Sequence, residues 1–297
     1  MSKNKNQVVK AVKGMNDTLP NHKEPFLVSS LWRKIVKVTE DIFDSYNYQH
    51  VILPVVEQTP LFARGIGSTT DIVSKEMYSF TDRGNRPLTL RPEGTAGCVR
   101  AYIEHNFSRE NPVQRWWYMG PMYRAERPQK GRYRQFYQFG AELFGLSLPS
   151  ADAEMLLMVY KLLKKLGLND AVLKINSLGD NESRDNYRIA LTEFLRSNSE
   201  GLCKTCNERI DVNPLRALDC KNPNCKKLLF DAPDIMDSLT DSSKQHFDKL
   251  LNYLDELAIP YSRDRHLVRG LDYYTGTIFE YTTNALGSQD AILGGGR

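Results

Sequence analysis

A chain of 297 residues can bury one or two hydrophobic cores, and 41% hydrophobic with 26% charged residues is an ordinary globular composition. The formal net charge of +4 is too small to define a polyanion-binding protein by itself, so where the basic residues lie matters more than their number. No segment approaches the roughly 18 uncharged apolar residues of a membrane span, and polar Met1–Lys13 lacks the apolar core of a secretion signal, which predicts a cytoplasmic protein with reduced cysteines and no membrane partner.

In chain order, Leu27, Leu31, Trp32, Ile35, Val38, Ile42 and Phe43 recur at helical spacing and predict an amphipathic helix over 26–46. Val51 to Val56 is short, β-branched and broken by Pro54, the pattern of an edge or interface strand. Gln114 to Tyr123 is an aromatic-rich strand. The basic stretch Arg124, Arg127, Lys130, Arg132 and Arg134 follows, with Glu126 its single acid, and Tyr133 to Phe144 then alternates. Strand, basic loop and strand predict an antiparallel pair. Residues 152–166 read as a helix, with Asp152 and Glu154 in its first turn, Lys164 and Lys165 in its last, and Gly167 after it. Phe247, Leu250, Leu251, Leu254 and Leu257 form the stripe of a helix over 246–257, and 277–283 read as a strand. The fold class expected is α+β, an antiparallel sheet flanked by helices.

Alternation along 133–144 puts Gln138 and Glu142 on one face, about 13 Å apart at a rise of about 3.4 Å per residue. Phe136 and Phe144 share that face, which argues against plain solvent exposure. Leu90-Arg-Pro-Glu-Gly-Thr95 sets an acid in a Pro-Gly turn, and Arg269-Gly-Leu-Asp-Tyr-Tyr-Thr-Gly276 is a second dense polar cluster. Always-charged guanidinium groups suit bidentate binding of phosphate. By residue chemistry alone, arginine-rich loops converge on a sheet and bind something anionic.

Tyr123-Arg-Ala-Glu-Arg-Pro-Gln-Lys-Gly-Arg-Tyr-Arg-Gln-Phe-Tyr-Gln138 closely resembles motif 2 of the class II aminoacyl-tRNA synthetases in its histidyl form. Leu267-Val-Arg-Gly-Leu-Asp-Tyr-Tyr-Thr-Gly276 resembles the histidine-specific signature of that family, and Val12-Lys-Gly-Met-Asn-Asp17 its N-terminal segment. The strand bearing Pro54 resembles motif 1, which builds the family's dimer interface. The likeness runs from about Val12 to Arg297.

The resemblance to the histidyl-tRNA synthetase family implies a cytoplasmic homodimeric ligase of protein biosynthesis. Histidine attacks the α-phosphate of ATP, supplied with Mg2+, and the histidyl group then passes from the adenylate to the 3′ end of the cognate tRNA. Carried over by motif, Glu93, Gly94, Thr95 and Gln138 would hold the amino end of histidine, and Glu142 with Tyr273 or Tyr274 would read the imidazole. Arg124 would bind the α-phosphate, Glu126 and Arg132 would contact ATP further out, and Arg269 would stabilise charge developing at phosphorus. The resemblance also implies three segments: a core over 1–170, an insertion domain over 171–258 that touches the tRNA acceptor arm, and a return to the core over 259–297. Cys203-x-x-Cys206, then Cys220 and Cys225, is close to the spacing of a structural zinc site, while Cys98 reads as a small buried residue. The sequence stops at Leu293-Gly-Gly-Gly-Arg297, where the family continues into motif 3 and an anticodon-binding domain, so weak or no adenylation by these 297 residues alone is expected. The alternative function is a non-catalytic relative that regulates ATP phosphoribosyltransferase. Such a regulator is free to lose Arg124, Arg132 or the Arg-Gly-Leu-Asp-Tyr-Tyr signature, and this chain retains all three.

Overall fold

The computed structural model describes residues 9–67, 70, 72–129, 131–284 and 291–297. Helix α1 (Ser29–Ser45) turns its apolar stripe inward, burying Ile42 and Phe43, and a turn leads to β1 (Gln49–His50). The expected strand over 51–56 is not continuous: β1 ends before Val51, and pairing resumes only at β2 (Val56–Gln58). Proline has no N–H to donate to a ladder, so the run breaks around Pro54, although the Val51 N–H still reaches the Trp117 carbonyl at 2.8 Å. Helix α2 (Thr59–Ile66), β3 (Tyr78–Thr81) and β4 (Pro87–Leu90) follow, then α3 (Thr95–Glu104) and α4 (Phe107–Glu110).

The expected hairpin is β5 (Gln114–Tyr123) and β6 (Gln135–Phe144), antiparallel and in unbroken register from Gln114 opposite Phe144 to Tyr123 opposite Gln135. The basic loop at its tip is held by the N-terminal segment. The Gly14 carbonyl accepts from the Arg134 N–H at 2.8 Å, and Gly14 has φ +87° with Pro128 packed where a Cβ would stand. Helix α5 (Pro149–Lys165) covers the hairpin with Met158 and Leu162, which share a core with Ile42, Phe43 and Trp117.

The rest of the chain comprises β7 (Val172–Ser177), α6 (Asn181–Ser197), α7 (Lys204–Arg209), α8 (Pro223–Leu229), α9 (Asp241–Glu256), β8 (Tyr261–Arg263), β9 (Thr277–Thr282) and β10 (Ala291–Gly296). Helix α9 begins earlier than its apolar stripe suggests because Thr240 caps it, and Leu257 falls beyond its end, 41% exposed. Among the described residues the strands form three sheets, ordered β1-β5-β6, β10-β9-β7-β8 and β2-β4-β3. Antiparallel pairing dominates; β1–β5 and β7–β8 are parallel. Within the expected insertion, β7 pairs with β9, and α9 packs with α5 in one core that includes Leu156 and Phe247. Between them, α6 to α8 build a separate core around Tyr187, Leu191, Cys206 and Cys225. No helix among the described residues is long and apolar enough to cross a membrane.

Candidate functional site

The turn from β4 into α3 must satisfy the free N–H groups of the helix N-terminus. Glu93 does so, its carboxylate accepting from the Thr95 N–H at 2.6 Å and the Ala96 N–H at 2.9 Å. The helix dipole favours an acid there, and Glu93 is buried, 4% exposed. Burial raises its pKa even so, opposed by the two N–H groups and the Arg124 charge. From β6, Glu142 accepts from the Thr95 hydroxyl at 2.7 Å. Burial pushes the Glu142 carboxyl from its ordinary 4.5 up to about 7, with the Glu93 charge adding and the Thr95 and Tyr118 hydroxyls opposing. Glycines make room for Tyr118 at this end: a Cβ at Gly94 or at Gly140 would meet its side chain at 2.3 Å. Gln138 stands opposite Gly120 on the same hairpin.

Basic groups approach from the loops. Arg124 leaves the end of β5 with its Nε donating to the Pro92 carbonyl at 3.0 Å and its guanidinium 5.1 Å over the Phe136 ring. Arg269, between β8 and β9, pairs with Glu280 and lies 5.8 Å over the Tyr274 ring. Gly294 on β10 clears space for it, since a Cβ there would meet Arg269 Nη1 at 2.5 Å. Tyr273 and Tyr274 have ring centroids 4.7 Å apart and part ways in environment. Burial raises both phenols, but Tyr273 faces Glu93 and Thr95 while Tyr274 faces Arg269.

These groups line one cavity of about 900 Å³, Glu93, Thr95, Gln138, Glu142 and Tyr273 making its acidic side and Arg124, Arg269 and Tyr274 its basic side. Residues 14–297 match the protein-family model described as histidyl-tRNA synthetase. The chain belongs to the histidyl-tRNA synthetase family. A crystal structure of apo S. aureus histidyl-tRNA synthetase is 38% identical with a TM-score of 0.76, matching 97% of this chain but only 66% of that one. The chain therefore spans a little under two thirds of that relative. An ATP phosphoribosyltransferase regulatory subunit/histidyl-tRNA synthetase from Bacillus halodurans C is similar at 22% identity and a TM-score of 0.68, covering 98% of this chain and 76% of that one. Histidyl-tRNA synthetase from Nostoc sp. PCC 7120 is similar at 18% identity and a TM-score of 0.63, over 97% of this chain and 67% of that one. At such identities the likeness speaks for the fold alone.

Not every residue expected from the histidyl-tRNA synthetase motifs stands on the cavity. Glu126 and Arg132 pair with each other at 2.7 Å in the β5–β6 loop, off the cavity wall, and Arg134 Nε holds the Glu126 carbonyl at 3.1 Å. Gly94 gives space to Tyr118 and does not line the wall; Lys130 lies outside the described residues. Conversely, sequence reasoning missed Tyr118, whose only signal was Gly140 interrupting an aromatic strand opposite it. It also missed Asp152, read only as a first-turn acid. Asp152 accepts from the Thr277 hydroxyl at 2.8 Å and pairs with Arg297 at 2.6 Å and His246 at 3.0 Å. Away from the cavity, the Sγ atoms of Cys203, Cys206, Cys220 and Cys225 all lie within 4.8 Å of one another.

Proposed function

We propose that the chain carries the amino-acid-activating site of a histidine–tRNA ligase, which joins histidine to ATP as histidyl-adenylate and passes the histidyl group to the 3′ end of its cognate tRNA. One observation supports it above the others: the carboxylates of Glu93 and Glu142 and the guanidinium groups of Arg124 and Arg269 line a single cavity. A carboxylate with pKa about 7 shares a proton readily with an imidazole of pKa about 6.5. Glu142 is therefore the imidazole partner, with Tyr273 on the same side. Glu93 and Gln138 receive the ammonium end, which leaves the histidine carboxylate directed at the arginines.

Arg124 and Arg269 then bind the α-phosphate. The histidine carboxylate oxygen forms its bond to phosphorus as the bond to the bridging oxygen breaks and pyrophosphate leaves. Fixed guanidinium groups in a desolvated site stabilise the charge that grows on the equatorial oxygens. Mg2+ would arrive on the nucleotide's own oxygens, as it commonly does. The carboxylates on the wall suit that, because Glu57, Glu93, Glu142 and Asp152 already hold partners within the chain. Glu126 and Arg132 would reach the nucleotide only after their mutual pair opens.

Two partners follow from the same reading. A second copy of the chain would pack against the segment around Pro54, where Ile52 is 88% exposed and Val56 40%. The tRNA acceptor end would approach the lobe formed by residues 178–239. Histidine-dependent exchange of labelled pyrophosphate into ATP, measured on the protein as its native cell makes it, tests the reaction. Histidine binding without any exchange would favour the regulatory alternative.

A further inference from the structure

Four cysteines outside the cavity gather at one point. Cys203 is the residue before α7, Cys206 lies in that helix, Cys220 follows the single turn Pro214–Ala217, and Cys225 lies in α8. The Sγ atoms of Cys203 and Cys220 are 3.8 Å apart. Four sulfurs placed tetrahedrally around zinc at about 2.3 Å are themselves about 3.8 Å apart, whereas a disulfide holds its sulfurs at about 2.05 Å. The Cys203 N–H donates to Cys225 Sγ at 3.1 Å, a contact of the kind that orients a thiolate ligand and stabilises its charge. Cys98, by contrast, is packed singly in an apolar core with Leu53 and Met122.

The stretch from Ile210 to Asp219 joins the two halves of the cluster and reaches the segment that carries Arg269 and Asp272. Asn213 Nδ2 donates to Asp272 Oδ1 at 3.3 Å, and Arg216 Nη1 donates to the Arg269 carbonyl at 3.3 Å. Arg209 Nη1 holds the Arg216 carbonyl at 2.9 Å. Beneath them, Tyr274 and Ile278 belong to the same buried core as Cys206, Cys220 and Cys225.

We propose that Cys203, Cys206, Cys220 and Cys225 bind one zinc ion as a closed four-thiolate site, and that this site fastens the loop which positions the Arg269–Tyr274 segment. Closed sites with four protein ligands are structural, and their binding energy is folding energy for the elements they join. Here those elements are α7, α8 and the loop between them. The zinc site stands whether or not the cavity activates histidine; only the consequence for catalysis rests on that reading.

The test uses the whole chain purified without added metal. Elemental analysis should find roughly one zinc per chain after dialysis against a mild chelator, and cobalt exchanged into the site should give the visible bands of tetrahedral thiolate coordination. Folded protein with zinc far below one per chain and all four thiols open to titration would overturn the site. Hydrogen exchange then tests the positioning. Stripping the zinc should speed exchange across 267–276 while β5 and β6 stay protected. Arg216→Ala should retain the zinc yet speed exchange in the same segment about fivefold, the value of one hydrogen bond. Unchanged exchange at 267–276 in both experiments would remove the positioning role and leave the zinc site standing.

Discussion

The two sides of the cavity are built differently. Glu93, Thr95 and Glu142 stand at a helix N-terminus and near the open end of a long hairpin, where regular backbone hydrogen bonding fixes them. Arg124 and Arg269 stand at a strand end and in a loop, each holding an acceptor from the chain itself: the Pro92 carbonyl and Glu280. The acidic side is thus set before substrate arrives and carries the cost of buried carboxylates. The basic side keeps its cations solvated by protein and, on the proposed reading, exchanges or shares those acceptors when a phosphate comes. Selectivity for the amino acid should therefore reside in rigid elements, and charge stabilisation in groups that strengthen their hold as the reaction proceeds.

The sharpest way to break this contrast is at Arg269. In the protein as its native cell makes it, Arg269→His should lower the adenylation rate about 10²- to 10³-fold, the scale for losing one fixed donor to developing charge. The Michaelis constants for histidine and ATP should change far less, and a variant that loses only ATP affinity would make Arg269 a ground-state binder. Next comes Glu142→Ala, which removes the proposed imidazole partner and one acceptor of the Thr95 hydroxyl. Histidine should bind about 100-fold more weakly, near the upper range for a charged hydrogen bond, while ATP binding stays close to the parent's. Calorimetry showing parental histidine affinity would end the assignment.

A gentler probe is pH. The bound pair needs one proton between Glu142, whose carboxyl titrates at about 7, and an imidazole that titrates at about 6.5. Below both values the pair carries two protons, and above both it carries none. Histidine affinity should peak between these values and fall by about tenfold per pH unit well outside them on either side. Glu142→Gln should flatten the alkaline fall. Equal affinity at pH 5, 7 and 9 in the parent would show that no proton is shared.

Much of the acidic side was legible in the sequence, and less of the basic side. Alternation along 133–144 puts Gln138 and Glu142 on one face, because residues four apart on a strand share a face in any register. Glycine before α3 reads only as part of a Pro-Gly turn; that the Tyr118 ring takes the space beside it follows from the folded chain. The bond from Thr95 to Glu142 spans 47 residues and that from Thr277 to Asp152 spans 125, and no local period encodes either. Arg132 shows the limit from the other direction: motif position implies a contact with ATP and says nothing of the pair that Arg132 makes with Glu126 in the folded chain. The split of the 51–56 run was signalled by Pro54, yet which residues re-entered a sheet depended on β4, 30 or more residues further on.

The smallest expected effect is on stability, and it tests whether the acidic side is costly. The Glu142 carboxyl binds its proton more tightly in the folded chain, about 7 against an ordinary 4.5. A raised carboxyl stabilises the fold fully below pH 4.5, and that contribution is lost as pH rises through the folded value near 7. A shift of that size corresponds to roughly 3 kcal/mol at most. Glu142 keeps some access to water through the cavity it lines, so about 1–2 kcal/mol is the better expectation. Glu142→Gln removes the ionisation and keeps an acceptor for the Thr95 hydroxyl. Its stability relative to the parent should therefore climb between pH 5 and 7 and level off above 7, as read by urea unfolding without histidine. Saturating histidine should narrow the gap at pH 8, because it stabilises the parent's folded state and binds the variant more weakly. A gap that is the same at pH 5 and pH 8 would mean that the Glu142 carboxylate is no burden to the fold, and the acidic side would then be no more strained than the basic one.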